Sequence, residues 1–134
     1  VLCSKTKISK EDYEALTEKE DKDGRFGDPK LKEAIGSHRM EFGQMHEKLG
    51  DFSHWTAKQV YLVMAALLYG AASMGIDSTP IEGMDFAKAD EILRLKDTNL
   101  QSVGIVTLGY RKDDSNALRP KSRLAKETII SSLD

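Results

Sequence analysis

The residues that could do chemistry lie in two short segments, 80–85 and 118–124. The first holds Glu82 and Gly83 in a glycine-containing turn, which offers backbone N–H groups to a ligand. The second holds Lys121 and Arg123, two cationic side chains suited by charge and hydrogen bonding to a phosphate monoester. Together the segments predict a site for a ligand with an anionic end. The alternative is that the basic pair is simply solvated, as basic residues near a C-terminus usually are.

Other signatures of catalysis and metal binding are missing from the sequence. It contains no G-x-G-x-x-G, no G-x-x-x-x-G-K-[ST], no G-x-S-x-G and no histidine or cysteine pair with zinc spacing. Residues 21–24 begin like a calcium loop, but Arg25 and Phe26 stand where further oxygen ligands belong. The lone Cys3 is interpreted as a small buried hydrophobe. We therefore predict no catalytic side chain and no metal site.

Length and composition describe one ordinary globular domain. The chain has 134 residues, of which 40% are hydrophobic and 31% charged, and its net charge is -2. Because there is no basic excess, nucleic acid is not an expected partner. A single cysteine fits a reducing compartment and a cytoplasmic location. The chain opens on Val1, with no export segment, so an internal fragment of a longer protein is a further interpretation.

Three helices have clear start signals. The predicted N-caps are Ser9 with Asp12 as capping-box partner, Asp28 with Pro29 at the first helical position, and Asp85. The helices are expected to run to about residues 19, 49 and 95, the second ending at Gly50. An apolar stripe on the second helix consists of Leu31, Ile35, His38, Phe42, Met45 and Leu49. It predicts a buried face, with Phe42 either in the core or beside a ligand.

A further helix begins near Ser53 and contains the uncharged run from Val60 to Ile76. Its seventeen residues fall just below the length of a membrane span, and its Ala, Gly and Ser content is weakly apolar. A helix that is apolar on all sides is also typical of a protein centre or a subunit interface. We therefore predict a buried helix at an intersubunit contact and no membrane association.

The remaining segments predict strands and loops. Residues 1–4 are expected to end a strand, and 101–109 to form an interior strand because its apolar residues fall on both faces. Residues 76–83 are predicted to be a turn and 111–116 a polar loop. Residues 127–134 are expected to form an extended tail that frays or lies on a partner. The architecture is accordingly mixed helix and sheet.

Several motifs, taken in order, resemble one known family. They are Gly24-Arg25-Phe26, Met45-His46, the segment 55–62, Gly75-Ile76-Asp77, Pro80-Ile81-Glu82-Gly83 and the segment 116–124. Their order and register are similar to the C-terminal part of the FMN-dependent NAD(P)H nitroreductases. The resemblance is greatest to the oxygen-insensitive type, which also reduces quinones and dihydropteridines. It spans residues 1–134 and implies that they are the C-terminal portion of a single nitroreductase domain.

The resemblance implies a homodimeric α+β enzyme with a long interface helix and a C-terminal extension that embraces the partner. By position, Lys121 and Arg123 match residues that bind the FMN phosphate, and Glu82 and Gly83 match the turn at the redox-active flavin ring. Phe42 matches an aromatic that covers the substrate. NAD(P)H is implied as electron donor and a nitroaromatic or quinone as acceptor, in a ping-pong reaction in which FMN carries the electrons.

The sequence departs from the family pattern in one respect, and two other interpretations of it stay open. The N-terminal Arg-x-[Ser/Thr]-x-Lys motif of the family is not in this sequence, so the 134-residue chain alone is expected to be inactive or impaired. The rival is a non-catalytic helical dimerisation or interaction fragment, in which the run from Val60 to Ile76 forms the seam. A relative with another flavin-dependent task is a third interpretation.

Overall fold

The computed structural model describes residues 1–132 as helices packed on a small sheet. The elements are β1 (Leu2–Lys5), α1 (Lys10–Lys22), α2 (Pro29–Leu49), α3 (Phe52–Ser73), β2 (Asp77–Ile81), α4 (Phe86–Ile92), β3 (Leu100–Gly109), a 3-10 turn (Ser115–Leu118) and α5 (Lys126–Ile129). The predicted α+β class is confirmed. Residues 133 and 134 of the expected tail lie outside the described residues.

The predicted N-caps form as expected. The Ser9 hydroxyl accepts from the Asp12 N–H at 3.2 Å, and the Asp12 carboxylate accepts from the Ser9 N–H at 2.9 Å. The Asp28 and Asp85 carboxylates likewise accept from N–H groups in the first turns of α2 and α4. Gly50 ends α2 with a φ of 72°, a left-handed conformation that glycine adopts without strain. The other helix ends differ by about three residues from those predicted, because α1 extends to residue 22 and α3 and α4 stop at 73 and 92.

The sheet has the order β1-β3-β2, with both neighbours antiparallel to β3. As predicted, β3 is interior. Its first half pairs with β1 and its second half with β2. The interpretation of 76–83 as a turn was wrong, because residues 77–81 form β2. Pro80 is tolerated there because β2 lies at the edge of this sheet, where a missing backbone donor leaves no central ladder bond unmade.

Helix α3 crosses the sheet and contacts all three strands. Its buried side chains include Phe52, Met64 and Ala71, which together with Val103 form most of the core. Met64 packs directly over β3 at Gly104, where a Cβ would approach the Met64 Cε at 2.6 Å. Glycine at this position therefore lets helix and strand approach closely.

Helices α1 and α2 form a hairpin beside this layer, joined by ion pairs as well as apolar contacts. Arg39 donates to Glu20 at 2.7 Å and to the Thr17 hydroxyl at 3.1 Å. Lys32 reaches two carboxylates of α1 at 2.6 and 2.9 Å. These links hold α2 in place although much of its apolar surface faces outward.

The apolar stripe predicted on α2 is largely exposed in this chain. Its members Leu31, Phe42, Met45 and Leu49 are exposed, and the expected burial of His38 was wrong because that side chain is exposed as well. A different face of α2 packs inward. It carries Gly43, which lies against Tyr13, and the half-buried His46. On α3, Leu62 is 68% exposed and Tyr69 80% exposed, so the run from 60 to 76 is not buried all round.

The segment after β3 lies on the surface. Between residues 110 and 132 only Ala117 is more than marginally covered, and Leu118 is 88% exposed. The expectation of a wholly extended tail was wrong in part, because residues 126–129 form the single turn α5. No helix within residues 1–132 combines the length and apolar character of a membrane span.

Candidate functional site

The Glu82–Gly83 turn directly follows β2, and both residues are exposed. The Glu82 carbonyl accepts from the Met84 N–H at 2.8 Å, which closes the turn before Asp85 caps α4. Among the turn and loop hydrogen bonds of residues 1–132, none uses the Gly83 N–H as a donor. A backbone donor is therefore open to an acceptor from outside the described chain.

The side chain of Glu82 faces α3 across an open depression of about 440 Å³. Hydrogen bonding by its carboxylate raises the pKa of Tyr61, and burial and the charge of Glu82 raise it further. Other lining residues include Lys58 from α3 and Ser102 from β3. Ser102 is buried, and its hydroxyl has no hydrogen-bond partner within the described part of the chain. The depression thus combines apolar walls with a few polar groups, as small-molecule sites do.

Lys121 and Arg123 lie exposed in the segment between the 3-10 turn and α5. Neither forms an ion pair within residues 1–132, and Arg123 donates only to the neighbouring carbonyl of Ser122, at 2.6 Å. No hydrogen bond or ion pair in that range joins them to the Glu82–Gly83 turn. The structure therefore presents the predicted cations as two exposed charges without an ion-pair partner in that range, rather than as a closed site.

A bidentate ion pair joins the start of β2 to the loop that follows β3. Arg111 donates through two guanidinium nitrogens to the two carboxylate oxygens of Asp77, each at 2.6 Å. This hydrogen bonding holds the pKa of Asp77 below its ordinary value, and the positive charges of Arg111 and Lys121 lower it further. The charge of Lys121 thus acts at the start of β2, the strand that the Glu82–Gly83 turn follows.

Phe42 lies on the outward face of α2 and is 50% exposed. It belongs to an aromatic cluster, which consists of Phe42, His46, Phe52 and Trp55. Phe42 thus packs on that cluster and leaves part of its side chain available for contact. The interpretation of Phe42 as a core residue was wrong, because the side chain is exposed, while its position beside a ligand stays a prediction.

Three side chains near these residues were not predicted from the sequence. Tyr61 and Asp77 lie in motifs that carried the family resemblance, but no role was predicted for either, and Arg111 was assigned only to a polar loop. Each acts through a partner distant in sequence, at separations of 21 and 34 residues, so no local pattern could indicate the pairing. Residues 1–132 contain no group of three or more His, Cys, Asp or Glu side chains able to hold a metal ion.

The chain belongs to the nitroreductase family, whose sequence profile matches residues 5–110. It is 41% identical over 132 residues to the oxygen-insensitive NAD(P)H nitroreductase of Enterobacter cloacae, covering 97% of this chain and 61% of that protein. It is 29% identical over 136 residues to the major NAD(P)H-flavin oxidoreductase of Aliivibrio fischeri, covering 99% and 62%.

Solved structures are similar in fold as well. A nitroreductase family protein from Streptococcus pneumoniae TIGR4 matches with a TM-score of 0.65 and 26% identity, over 87% of this chain and 57% of that one. The ydfN protein of Bacillus subtilis matches with a TM-score of 0.74 and 16% identity, over 98% and 61%. The chain thus spans about three-fifths of the length of the curated relatives it matches. That it is the C-terminal portion of one domain stays a prediction.

Proposed function

We propose that the protein containing this chain is an FMN-dependent NAD(P)H oxidoreductase that reduces nitroaromatics or quinones. The observation that carries the proposal is the 41% identity, over 97% of this chain, to a protein named an oxygen-insensitive NAD(P)H nitroreductase. The name of the Aliivibrio fischeri relative, an NAD(P)H-flavin oxidoreductase, supports a flavin. When bound, FMN would supply two-electron transfer between NAD(P)H and the acceptor, the chemistry of a ping-pong reaction.

The donor set of the site fits FMN. Lys121 and Arg123 are exposed and lack ion-pair partners within residues 1–132, so a phosphate monoester would neutralise charges that this part of the chain leaves open. The open N–H of Gly83 supplies a hydrogen-bond donor for an electron-rich ring edge. In this proposal Lys121 and Arg123 hold the phosphate, and Glu82 and Gly83 orient and polarise the ring.

The uncovered apolar surface supports a homodimer as the working form. Exposed side chains on α2 and α3, including Phe42, Leu62 and Tyr69, form apolar surface of the kind that marks protein–protein contacts. In the proposed enzyme α3 lies at the dimer contact and Phe42 covers the acceptor. A cytoplasmic location, where NAD(P)H is available, completes the proposal.

Comparing FMN with riboflavin tests the phosphate assignment, because riboflavin has the same ring and no phosphate. We expect Lys121→Ala and Arg123→Ala each to weaken FMN binding by about tenfold or more, since a charge-assisted hydrogen bond is worth about 1.5 to 3 kcal/mol. Riboflavin affinity should stay unchanged. Titration of flavin fluorescence measures both affinities, and Lys112→Ala, which removes an exposed cation from the loop after β3, is the control.

The exposed apolar run on α3 equally favours the rival, a non-catalytic dimerisation module. The same titration separates the two functions. If the purified protein binds neither flavin, shows no rise in Tm with FMN and does not oxidise NADH with menadione, the oxidoreductase proposal is lost and the interaction module remains.

A further inference from the structure

The rings of the aromatic cluster meet where α2 and α3 converge. The imidazole of His46 lies parallel to the indole of Trp55, with ring centroids 4.7 Å apart and planes 4° from parallel. Phe42 approaches His46 at 4.9 Å and 78°, and Trp55 at 5.6 Å and 75°. Both are edge-to-face geometries that aromatic pairs favour. Phe42 therefore rests against a stacked pair of rings, which restricts its rotation.

Two residues hold the ring of His46: Asp51 bonds to its edge and Trp55 stacks on its face. Its Nδ1 lies 2.7 Å from the Asp51 Oδ1, and because a carboxylate only accepts, Nδ1 carries the proton. Its side chain is 14% exposed, and Nε2 is buried with no hydrogen-bond partner among residues 1–132. An apolar ring would avoid the unsatisfied Nε2, so the hydrogen bond to Asp51 is what a histidine adds here.

We infer that His46, through the ring that stacks on Trp55, is a positioning residue that fixes the ring of Phe42 and thereby favours two-ring over one-ring planar acceptors. The inference rests on the proposed function, in which Phe42 covers the acceptor. A ring held at a fixed angle presents a constant surface, and a larger planar molecule buries more area against it. A Phe42 ring that is free to rotate should therefore weaken the binding of large acceptors most.

Two substitutions at position 46 separate the ring from its hydrogen bond. His46→Asn keeps a donor to Asp51 and removes the ring that stacks on Trp55. His46→Phe keeps the ring and removes the donor. His38→Asn is the matched control, because His38 is an exposed histidine on the same helix and lies outside the cluster.

Steady-state kinetics of the FMN-loaded protein test acceptor selection, with menadione as the two-ring acceptor and 1,4-benzoquinone as the one-ring acceptor. We expect His46→Asn to raise KM for menadione by about twofold to tenfold, the value of a lost aromatic pair, with kcat nearly unchanged. KM for benzoquinone should rise less. His46→Phe and His38→Asn should keep the original ratio of the two KM values.

The fluorescence of Trp55 gives a second measurement that does not depend on turnover, because Trp55 is the chain's single tryptophan. Removing the stacked imidazole in His46→Asn exposes the indole to water and should shift its emission to longer wavelength. His46→Phe should retain the original emission. The shift reports the stack directly, in protein with or without acceptor.

The kinetic and fluorescence results distinguish failure of this inference from failure of the proposed function. The inference is overturned, and the proposed function stands, if His46→Asn raises both KM values equally, lowers only kcat, or leaves either the KM ratio or the emission of Trp55 unchanged. It is also overturned if His46→Phe changes the KM ratio as His46→Asn does, because a ring at position 46 is then not sufficient to order Phe42. If the unmodified protein reduces neither quinone, the proposed function fails first and acceptor selection falls with it.

Discussion

Gly43 of α2 lies directly against the side chain of Tyr13 of α1. A Cβ added there would meet the side chain of Tyr13, with the Tyr13 Cζ only 2.7 Å away. Tyr13 is buried, and its hydroxyl has no hydrogen-bond partner within residues 1–132. We expect Gly43→Ala to lower the free energy of unfolding by about 1 to 3 kcal/mol through overpacking, in spite of alanine's better helix propensity. Urea denaturation measures the change.

Gly36 provides the matched control on the same helix. A Cβ at Gly36 would meet Thr17 at 3.4 Å, an ordinary contact. Gly36→Ala should therefore leave stability unchanged or raise it by up to about 1 kcal/mol. Tyr13→Phe, which removes the unpaired hydroxyl, should reduce part of the loss in a double variant with Gly43→Ala. Equal effects at both glycines would contradict close packing at Gly43.

The Asp77–Arg111 pair predicts a defined pH dependence. Hydrogen bonding from Arg111 lowers the pKa of Asp77, so the native state binds this proton less readily than the unfolded chain does. The pair therefore stabilises the fold above the ordinary pKa of an aspartate, about 4, and this contribution is lost as the pH falls through the lower native value. Arg111→Lys, which cannot make the two-armed contact, should move the pKa back toward its ordinary value.

Carboxyl NMR titration of Asp77 follows this shift directly. Lys121→Ala should raise the pKa of Asp77 as well, by less than Arg111→Lys, because Lys121 acts only through its charge. Lys112→Ala is the control, since Lys112 is not among the groups that shift this pKa. An unchanged pKa in Arg111→Lys would show that the pair does not persist in solution.

Among the elements, those set by local signals were predictable and those set by long-range pairing were not. Ser9, Asp28 and Asp85 cap helices in the structure as predicted, because a capping bond spans only two or three residues. Strand β2 was missed because its residues neither alternate in polarity nor avoid proline. It exists through pairing with β3, 24 to 32 residues later in the chain.

The stripe on α2 shows what periodicity leaves open. The spacing of Leu31, Phe42 and Leu49 predicted an apolar face, and that face exists, but all three side chains are exposed in this chain. Periodicity indicates which face is apolar and does not indicate what covers it. The same limit explains why the run on α3 predicted burial while Leu62 is largely exposed.

A charge placed on the exposed face of α3 tests whether a second copy covers it. We expect Leu62→Glu to shift the protein from dimer to monomer, because a carboxylate inside an apolar contact loses its hydration without a partner. Analytical ultracentrifugation measures the mass. Lys96→Glu, which introduces the same residue in an exposed loop, should leave the mass unchanged. A Leu62→Glu protein that remains dimeric would place the contact elsewhere.

For the whole molecule, the arrangement of the candidate site could be predicted only in part. The Glu82–Gly83 turn follows β2 beside α3, and the Asp77–Arg111 pair joins the loop after β3 to the same strand. Segment 118–124 nevertheless makes little contact with the rest of residues 1–132. A motif identifies residues that recognise a ligand, but their final distances depend on surfaces that a single chain does not contain, such as a partner's.

Limited trypsin digestion tests whether a ligand orders the basic segment. Exposed Lys121, Arg123 and Lys126 are accessible cleavage sites, and cleavage follows the population of open chain. If FMN binds through its phosphate, a tenfold excess over Kd should slow cleavage at Lys121 and Arg123 several-fold, as measured by mass spectrometry. Riboflavin should not slow it, and cleavage at Lys96, in a loop distant in sequence, should serve as an internal rate standard. Equal protection by both flavins would mean that the ring alone orders the segment and that the two cations do not hold the phosphate.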